Sequence, residues 1–569
     1  MDRDATSSYE FGGFNLDVGR RSLTREGRAV PLTTKLFDIL LLLVRNSGRV
    51  ISKEELMREI WPDSFVEESN ITVSVSALRK ALGEGHDRRE YIRTVPKRGY
   101  VFIAGVRELS RETSSLAVMP LENLSADPTL EYLSDGITES IINSLSQLPR
   151  LRVVARSTVF RYKGRGVDSL TAAREMGVRA VLTGRVLQLG ESLVVRAELV
   201  DVADGSQIWG EQYDRRLPDL LAVQEEIARA ISEKLRLRLT SEDRERLGKR
   251  HTHSNEAYRL YVKGRYFWNR FDREGGERCV RYFREAIEID PSYALAYAGL
   301  ADSYYRLANT YLAPGEAMPK AKAAALRAVE LDPALAEART SLANIMMVYD
   351  WDWAGAAREL ERAVELNFGY PLAHTRRGWL LTLTGRFDEA VAELKIAREL
   401  DPLSLVVNMY LASVLYYARR YDEAIAQCRK TLELDPNYFP AHGCLGESYS
   451  QLGDYAAALP ELRRALALED NSEILGWLGR TYVLAGRRAE ALEVIDELTR
   501  RARESYVSTY PVAVVRAALG EHDAALTALE KLLDDRNEIL TQLKVDPKLD
   551  ALRPDPRFQE VLRRVGLAS

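Results

Sequence analysis

Asn367, Asp401 and Asp435 stand 34 residues apart, and Pro402 and Pro436 follow the two aspartates. Ala390, Ala424 and Ala458 keep the same interval, while Gly385, Gly453, Gly486 and Gly520 mark turns before Phe387-Asp-Glu-Ala, Tyr455-Ala-Ala-Ala and their equivalents. Such a period fits a helix–turn–helix unit repeated along the chain. Proline ends the second helix, small residues such as Gly378, Ala390 and Ala397 let the paired helices approach, and Leu381 and Leu394 fill the space between them. No unit buries its apolar face alone, so neighbours must stack. Asp290-Pro291 and Asp332-Pro333 extend the array, and their 42-residue spacing predicts an insertion of about eight residues around 310 to 319. About eight units are expected between residues 256 and 533, with a capping helix over 549 to 565.

The N-terminal half lacks this period. At 569 residues the chain exceeds one core and predicts about three or four domains. Its 46% hydrophobic and 29% charged content is globular, and a net charge of -4 excludes a generally basic coat, so nucleic-acid binding requires a local patch. Cys279, Cys428 and Cys444 show no CxxC spacing, which argues against a disulfide framework or zinc site and for a cytoplasmic setting. The longest apolar run, 39 to 44, is far short of a membrane span, and MDRDATSSYE lacks the apolar core of a signal peptide.

The patch lies in residues 66 to 102. Ile71, Val75, Leu78 and Leu82 recur at helical spacing as a buried stripe, with Ser69, Val73, Ser76, Ala77 and Lys80 on the opposite side. Small outward residues let a helix lie close to another surface; in a DNA major groove, Ser and Thr bond base edges, and Ala and Val methyls meet thymine methyls. After a polar loop, 83 to 90, Tyr91-Ile-Arg-Thr-Val, a Pro96-Lys97-Arg98-Gly99 turn and Tyr100-Val-Phe read as a hairpin with a basic tip. From Arg79 to Arg107 there are eight Lys and Arg against three Asp and Glu, so positive charge is concentrated here. Upstream, Tyr9-Glu-Phe, Phe14-Asn-Leu-Asp, Ser22-Leu-Thr and Ala29-Val-Pro-Leu predict a small antiparallel sheet. Thr33 or Thr34 then caps a helix carrying Leu36, Ile39, Leu40, Leu43 and Val44, and Ser52-x-x-Glu55 opens a second that stops at Trp61-Pro62.

Leu78-Arg79-Lys80-Ala81-Leu82 after Val66-Glu67, with Val95 and Gly99-Tyr100 closing the hairpin, resembles the C-terminal effector domain of OmpR/PhoB response regulators over residues 8 to 106. The resemblance implies a winged helix whose third helix enters the major groove and whose hairpin, the wing, reaches the backbone or minor groove. On it, Ser69, Asn70, Thr72, Val73, Ser76 and Ala77 would meet bases, and Arg79, Lys80, Arg93, Lys97 and Arg98 would meet phosphates. That family often carries Arg or His where Ser74, Ser76 and Ala77 stand here, so its sequence preference does not transfer. Too few residues precede this domain for a receiver domain, and control by aspartyl phosphorylation in cis is not expected.

Residues 115 to 240 alternate strands and helices as a compact α/β domain. Pro120-Leu-Glu-Asn-Leu-Ser, Tyr132-Leu-x-Asp135-Gly136-Ile-Thr138-Glu139 and Asp204-Gly-x-x-x-Trp209 resemble the TolB N-terminal-like domain. Asp135 and Glu139 read as first-turn carboxylates favoured by the helix dipole rather than as an acid-base or metal pair. Residues 107 to 115 and 244 to 255 read as polar linkers, and His251 and His253 in the latter lack further metal ligands nearby. Residues 254 to 535 resemble tetratricopeptide repeats, with a capping segment over 536 to 569. Such arrays expose a concave surface lined by the first helix of each unit, for which Tyr297, Tyr304, Tyr305, His374, Arg376, Arg377, Asn408, Tyr416, His442 and Tyr449 are candidates. Tyr304, Arg377, Asn408, His442 and Tyr449 are singled out as partner contacts.

The expected fold class is therefore multidomain: an α+β winged helix, a compact α/β domain and an all-α tetratricopeptide solenoid. There is no Walker loop, HExxH, GxSxG or cyclase-like domain, so neither catalysis nor a cofactor is expected. Expected partners are double-stranded DNA, a protein, peptide or small-molecule effector on the repeats, and a second copy of the chain, with no membrane. The alternative is a scaffold whose winged helix contacts protein, such as RNA polymerase.

Overall fold

Phe11, Phe14, Tyr91 and Phe102 meet ring to ring in the N-terminal part, with centroids 4.9 to 6.5 Å apart. They tie an N-terminal sheet to a C-terminal hairpin across three helices. The computed structural model describes residues 7–17, 22–25, 28–60, 68–83, 90–96, 98–110, 114–125, 127, 130–148, 151–216, 220–235, 247–268, 273–308, 312–504 and 507–568. It divides into two compact units, Met1–Thr113 and Ser114–Ser569.

In the first unit, β1 (Ser7–Phe11), β2 (Phe14–Asp17), β3 (Ser22–Arg25) and β4 (Arg28–Val30) form the expected antiparallel meander. Thr33 caps α1 (Thr34–Arg45), accepting from Leu36 N–H at 3.4 Å. After β5 (Val50–Ile51), Ser52 accepts from Glu55 N–H at 3.0 Å and opens α2 (Lys53–Ile60). The expected stop at Trp61-Pro62 lies outside the described residues. Then come α3 (Glu68–Ala81), β6 (Ile92–Val95) and β7 (Gly99–Phe102), in a sheet ordered β5-β7-β6. One expectation is corrected. Arg107–Ser110, read as linker, is a strand, β8, paired antiparallel with β1 at the sheet edge. An edge strand needs only backbone hydrogen bonds on one side, and polar side chains suit it.

In the second unit, β9 (Ser114–Val118), β10 (Glu122–Asn123), α4 (Glu131–Ser146), β11 (Leu151–Val153), α5 (Arg156–Val159), α6 (Ser169–Glu175), β12 (Ala180–Leu189), β13 (Ser192–Asp201), β14 (Gln207–Arg216) and α7 (Leu220–Lys234) build the α/β domain. Its mixed sheet runs β11-β9-β12-β13-β14, with β10 beside β12. β9 is parallel to β11 and β12, and the last three strands form an antiparallel meander. Leu116, Val118, Ile137, Ile141, Val181, Val195 and Ile227 form its buried core.

Eight helix pairs follow among the described residues, from Asn255–Trp268 with Arg273–Ile289 to Tyr510–Ala518 with His522–Asp535. Gly385, Gly453, Gly486 and Gly520 take positive φ at the turns within pairs, and Arg419 takes φ 62° at the corresponding turn of the fifth pair. The insertion lies in the second pair, spread more widely than expected. Its helices Ala294–Leu307 and Pro314–Leu331 have 14 and 18 residues, against 13 and 14 for Pro371–Leu383 and Phe387–Leu400. Its connection is longer too.

The α/β domain is fastened to the repeats rather than strung ahead of them. Ser157 and Thr158 donate hydroxyls to the repeat-boundary carboxylate of Asp401, Thr158 at 2.8 Å, and Arg161 donates to the carbonyls of Leu403 and Leu434. The expected linker before the first repeat is also docked: Lys249 pairs with Asp332 at 2.7 Å, and buried Thr252 donates to Asp290. The expected capping helix is shorter, Pro556–Arg564. Before it, Glu538–Gln542 and Pro547–Leu552 are 3-10 turns, because Pro547, Pro554 and Pro556 interrupt any longer helix.

Candidate nucleic-acid interface and repeat surface

On α3 the predicted division of faces is present. Ile71, Val75 and Leu78, with Leu82 just beyond, are buried against α1, α2 and the hairpin, while Asn70, Thr72, Val73, Ser76, Ala77 and Lys80 are exposed. Val73 is 67% exposed, so a branched apolar side chain lies in water beside small polar ones. Ser74 is half-buried. Ser69 lies in the helix, but its side chain is outside the described residues, as is Lys97.

Arg79 has a different place from that expected. Its guanidinium donates to Ile92 O at 2.7 and 3.0 Å and to Thr94 Oγ1 at 2.8 Å, fastening α3 to the wing. Nε and Nη2 are thus engaged by the hairpin, and a half-buried arginine satisfies carbonyls readily. Thr72 Oγ1 lies 3.5 Å from Tyr100 OH, a second link to the wing. Arg93 is exposed and pairs with Glu90 at 3.2 Å, and Arg98 is exposed in the turn, where its N–H donates to Val95 O at 3.0 Å. Gly99 is required at φ 137°, because a Cβ there would stand 1.9 Å from Ile51 O. Sequence reasoning did not single out Thr94, whose only signal is its place opposite Arg79.

The repeat candidates behave otherwise. His374 Nε2 lies 2.9 Å from Phe368 O, Asn408 Nδ2 donates to Pro402 O at 3.0 Å, and His442 Nε2 lies 3.0 Å from Pro436 O. Each of these residues also meets a second-helix side chain: Glu393 at 2.6 Å, Gln427 at 2.9 Å and Glu461 at 2.6 Å. Both series keep the repeat period. They satisfy carbonyls at the turn entering each pair and link its two helices, so Asn408 and His442 serve as ties within their own units. Tyr304 is buried, Tyr416 is buried with its hydroxyl 3.2 Å from Glu447, and Tyr305 donates to Glu538 at 3.2 Å. Arg376 donates to Tyr410 OH at 2.7 Å, Arg377 pairs with Glu393 at 3.3 Å, and Arg429 donates to Tyr449 OH at 2.7 Å. Tyr297 is half-buried.

Asp135 and Glu139 are not first-turn residues, because α4 begins at Glu131. Asp135 pairs with Lys163, and Glu139 lies between Arg156 at 2.9 Å and Arg265 at 2.7 Å. Burial opposes the Glu139 charge, yet the two guanidiniums hold its carboxyl below the usual range. Among the described residues there is no group of three or more candidate metal-binding side chains, and no helix is long and apolar enough to cross a membrane.

Comparison with known proteins agrees with this division. Residues 27–102 match the family model for transcriptional regulatory protein, C terminal. Residues 112–230 match the HilA/YgeH-like transcriptional regulator, second domain, where the motifs resembled a TolB N-terminal-like domain. Tetratricopeptide models match 351–404, 384–439, 428–459 and 450–509. The transcriptional regulator HilA of Salmonella typhi is 24% identical over 426 residues, covering 73% of this chain and 74% of that protein. The transcriptional activator CadC of Escherichia coli (strain K12) is 40% identical over 91 residues, 16% of this chain and 18% of that one. A protein of Rhizobium meliloti (strain 1021), named provisionally as adenylate cyclase 3, is 40% identical over 187 residues, 33% of this chain and 32% of its own length. The chain thus spans about a third of that last relative. It carries an OmpR/PhoB-type winged helix, a HilA-like regulator domain and tetratricopeptide repeats.

Proposed function

We propose that the chain is a non-enzymatic, DNA-binding transcription regulator of the cytoplasm, in which α3 reads the major groove, the wing touches the backbone, and the repeats with the α/β domain receive a protein partner. The observation that carries this reading is the exposed row Asn70, Thr72, Val73, Ser76, Ala77 and Lys80 on a helix whose other face is buried. Its small side chains permit close approach to base edges, and Val73 offers a methyl surface to thymine. Lys80, Arg93, Lys97 and Arg98 supply the sequence-independent attraction. HilA and CadC, which share parts of this chain, are named as transcriptional regulators. A single winged helix reads few base pairs, so two copies of the chain on adjacent half-sites are part of the proposal.

The test is a genome-wide selection of DNA fragments by the full chain, compared with Lys97→Ala/Arg98→Ala. An enriched repeated motif, lost or weakened in the variant, supports the reading and gives the half-site spacing. If no motif emerges and both proteins retain the same fragments, DNA reading fails. The winged helix is then a protein-contact module, for RNA polymerase among others.

A further inference from the structure

Residues 537 to 553 lie along the first helices of the repeats. Glu538 accepts from Tyr305 in the second pair at 3.2 Å, Gln542 accepts from Tyr417 in the fifth at 2.5 Å, and Asp546 accepts from Tyr510 in the eighth. Lys548 is almost wholly buried, 3.0 Å from Asp546 and 3.7 Å from Glu447 of the sixth pair. Its ammonium also stands 5.1 Å from the ring centre of Tyr416 and 5.3 Å from that of Trp477. Leu540, Leu543, Leu549 and Leu552 are fully buried. The surface that tetratricopeptide arrays offer to a partner is therefore filled by this chain's own C-terminal segment.

The fit is incomplete in a particular place. Around Lys548, Glu447 Oε1, Trp477 Nε1 and Arg480 Nη1 are buried without a hydrogen-bond partner, and Glu447 and Arg480 are each less than 10% exposed. A buried polar atom left unpaired is costly, so an occupant that bonded these atoms would hold the channel better than the resident segment does. The segment also brings Glu538 and Asp546 towards the wall's Glu473, whose carboxyl is pushed up to about 7 by burial and by Glu538. The wall thus meets the Lys548 ammonium with Glu447 and two aromatic rings, while Glu538 and Asp546 oppose the charge of Glu473.

We propose that residues 537 to 553 are a ligand in cis that keeps the repeat channel closed, and that the activating partner is a peptide presenting a basic side chain between apolar ones, which displaces them. The proposal rests on the reading of the repeats as a partner receptor. Its test uses no DNA, so its failure is separate from failure of the DNA-binding reading.

The probe is a fluorescently labelled synthetic peptide of residues 537 to 553, titrated by anisotropy into the unmodified full chain and into Lys548→Glu/Leu549→Glu, which weakens the segment in cis without substituting a residue of the repeat pairs. Binding at least tenfold tighter to the variant is expected. Equal binding by both chains, or none by a variant that keeps its helical circular dichroism, overturns the proposal. Hydrogen–deuterium exchange on the unmodified chain decides the matter if the variant does not fold. Amides of 540 to 553 should exchange at least tenfold faster than those of Leu405–Tyr417. Equal protection would make the segment a permanent part of the core and end the proposal.

Discussion

α3 and the first helices of the repeats draw on similar polar residue types and use them in opposite ways. On α3, Asn70, Thr72, Ser76 and Lys80 face solvent on a helix that occurs once in the chain. In the repeats, His374, Asn408 and His442 direct their hydrogen bonds to carbonyls and side chains of their own units. The distinction lies in recurrence. A polar residue that returns with the period of the fold answers a demand of the fold, whereas Asn70, Ser76 and Lys80 belong to no period and face solvent.

Substitutions at buried charges should sharpen this contrast most. Lys548→Ala leaves Asp546 and Glu447 buried without their cation, and breaking such a cluster costs about 3–5 kcal/mol. The melting temperature of the Ser114–Ser569 unit should fall clearly in calorimetry. No change in melting would mean that the buried Lys548 cluster, including Glu447 of the sixth pair, is not structural. Asn408→Ala comes next. It strips donors from Pro402 O and Ser404 O and leaves Gln427 without its acceptor, at about 1–3 kcal/mol. Chemical denaturation followed by circular dichroism measures it; a loss of partner capture with unchanged stability would return Asn408 to the binding surface.

Arg79 and Lys80 are neighbours that test the first half of the comparison. Lys80→Ala should reduce the salt slope of DNA binding by about 1, since one phosphate contact releases about one counterion. Arg79→Ala should weaken binding by loosening the wing, with less effect on that slope, because its guanidinium is held by Ile92 and Thr94. Affinity measured across a salt series separates the two. Equal loss of slope in both variants would place Arg79 on a phosphate.

Much of this was legible because the causes are local. The stripe Ile71, Val75, Leu78, Leu82, the Thr33 and Ser52 caps, and the turn glycines all follow from interactions within a few residues. What escaped was long-range. Ser157, Thr158 and Arg161 look like ordinary polar residues until the chain brings back Asp401, Leu403 and Leu434, more than 240 residues later. β8 carries no alternation because an edge strand in contact on one side requires none. Leu540, Leu543, Leu549 and Leu552 are spaced by multiples of three, the period of a 3-10 turn and not of an α-helix or strand, and Pro547 divides them, so their joint burial could not be read as one helical face. The division of labour on the DNA-binding helix was half visible: its faces are periodic, but Arg79's link to the wing depends on how the hairpin folds back.

A last expected effect concerns Glu473, whose carboxyl is pushed up to about 7 by burial and by Glu538, against the pull of Lys548, with Asp546 adding to the rise. A carboxyl raised in the folded state binds its proton more tightly there than in the unfolded chain. The folded state is therefore favoured at low pH, and that advantage is lost as pH rises from the ordinary glutamate value through about 7. Across the whole interval the loss should be roughly 3 kcal/mol, since each pKa unit is worth about 1.4 kcal/mol. Exchange of the amides in residues 540 to 553, corrected for the intrinsic rate, should accelerate across this interval, and Glu473→Gln should flatten the dependence. If Glu473→Gln kept the full dependence, the titrating group would lie elsewhere, and the polar wall of the repeats would be less tightly bound to the chain's own needs than its hydrogen bonds indicate.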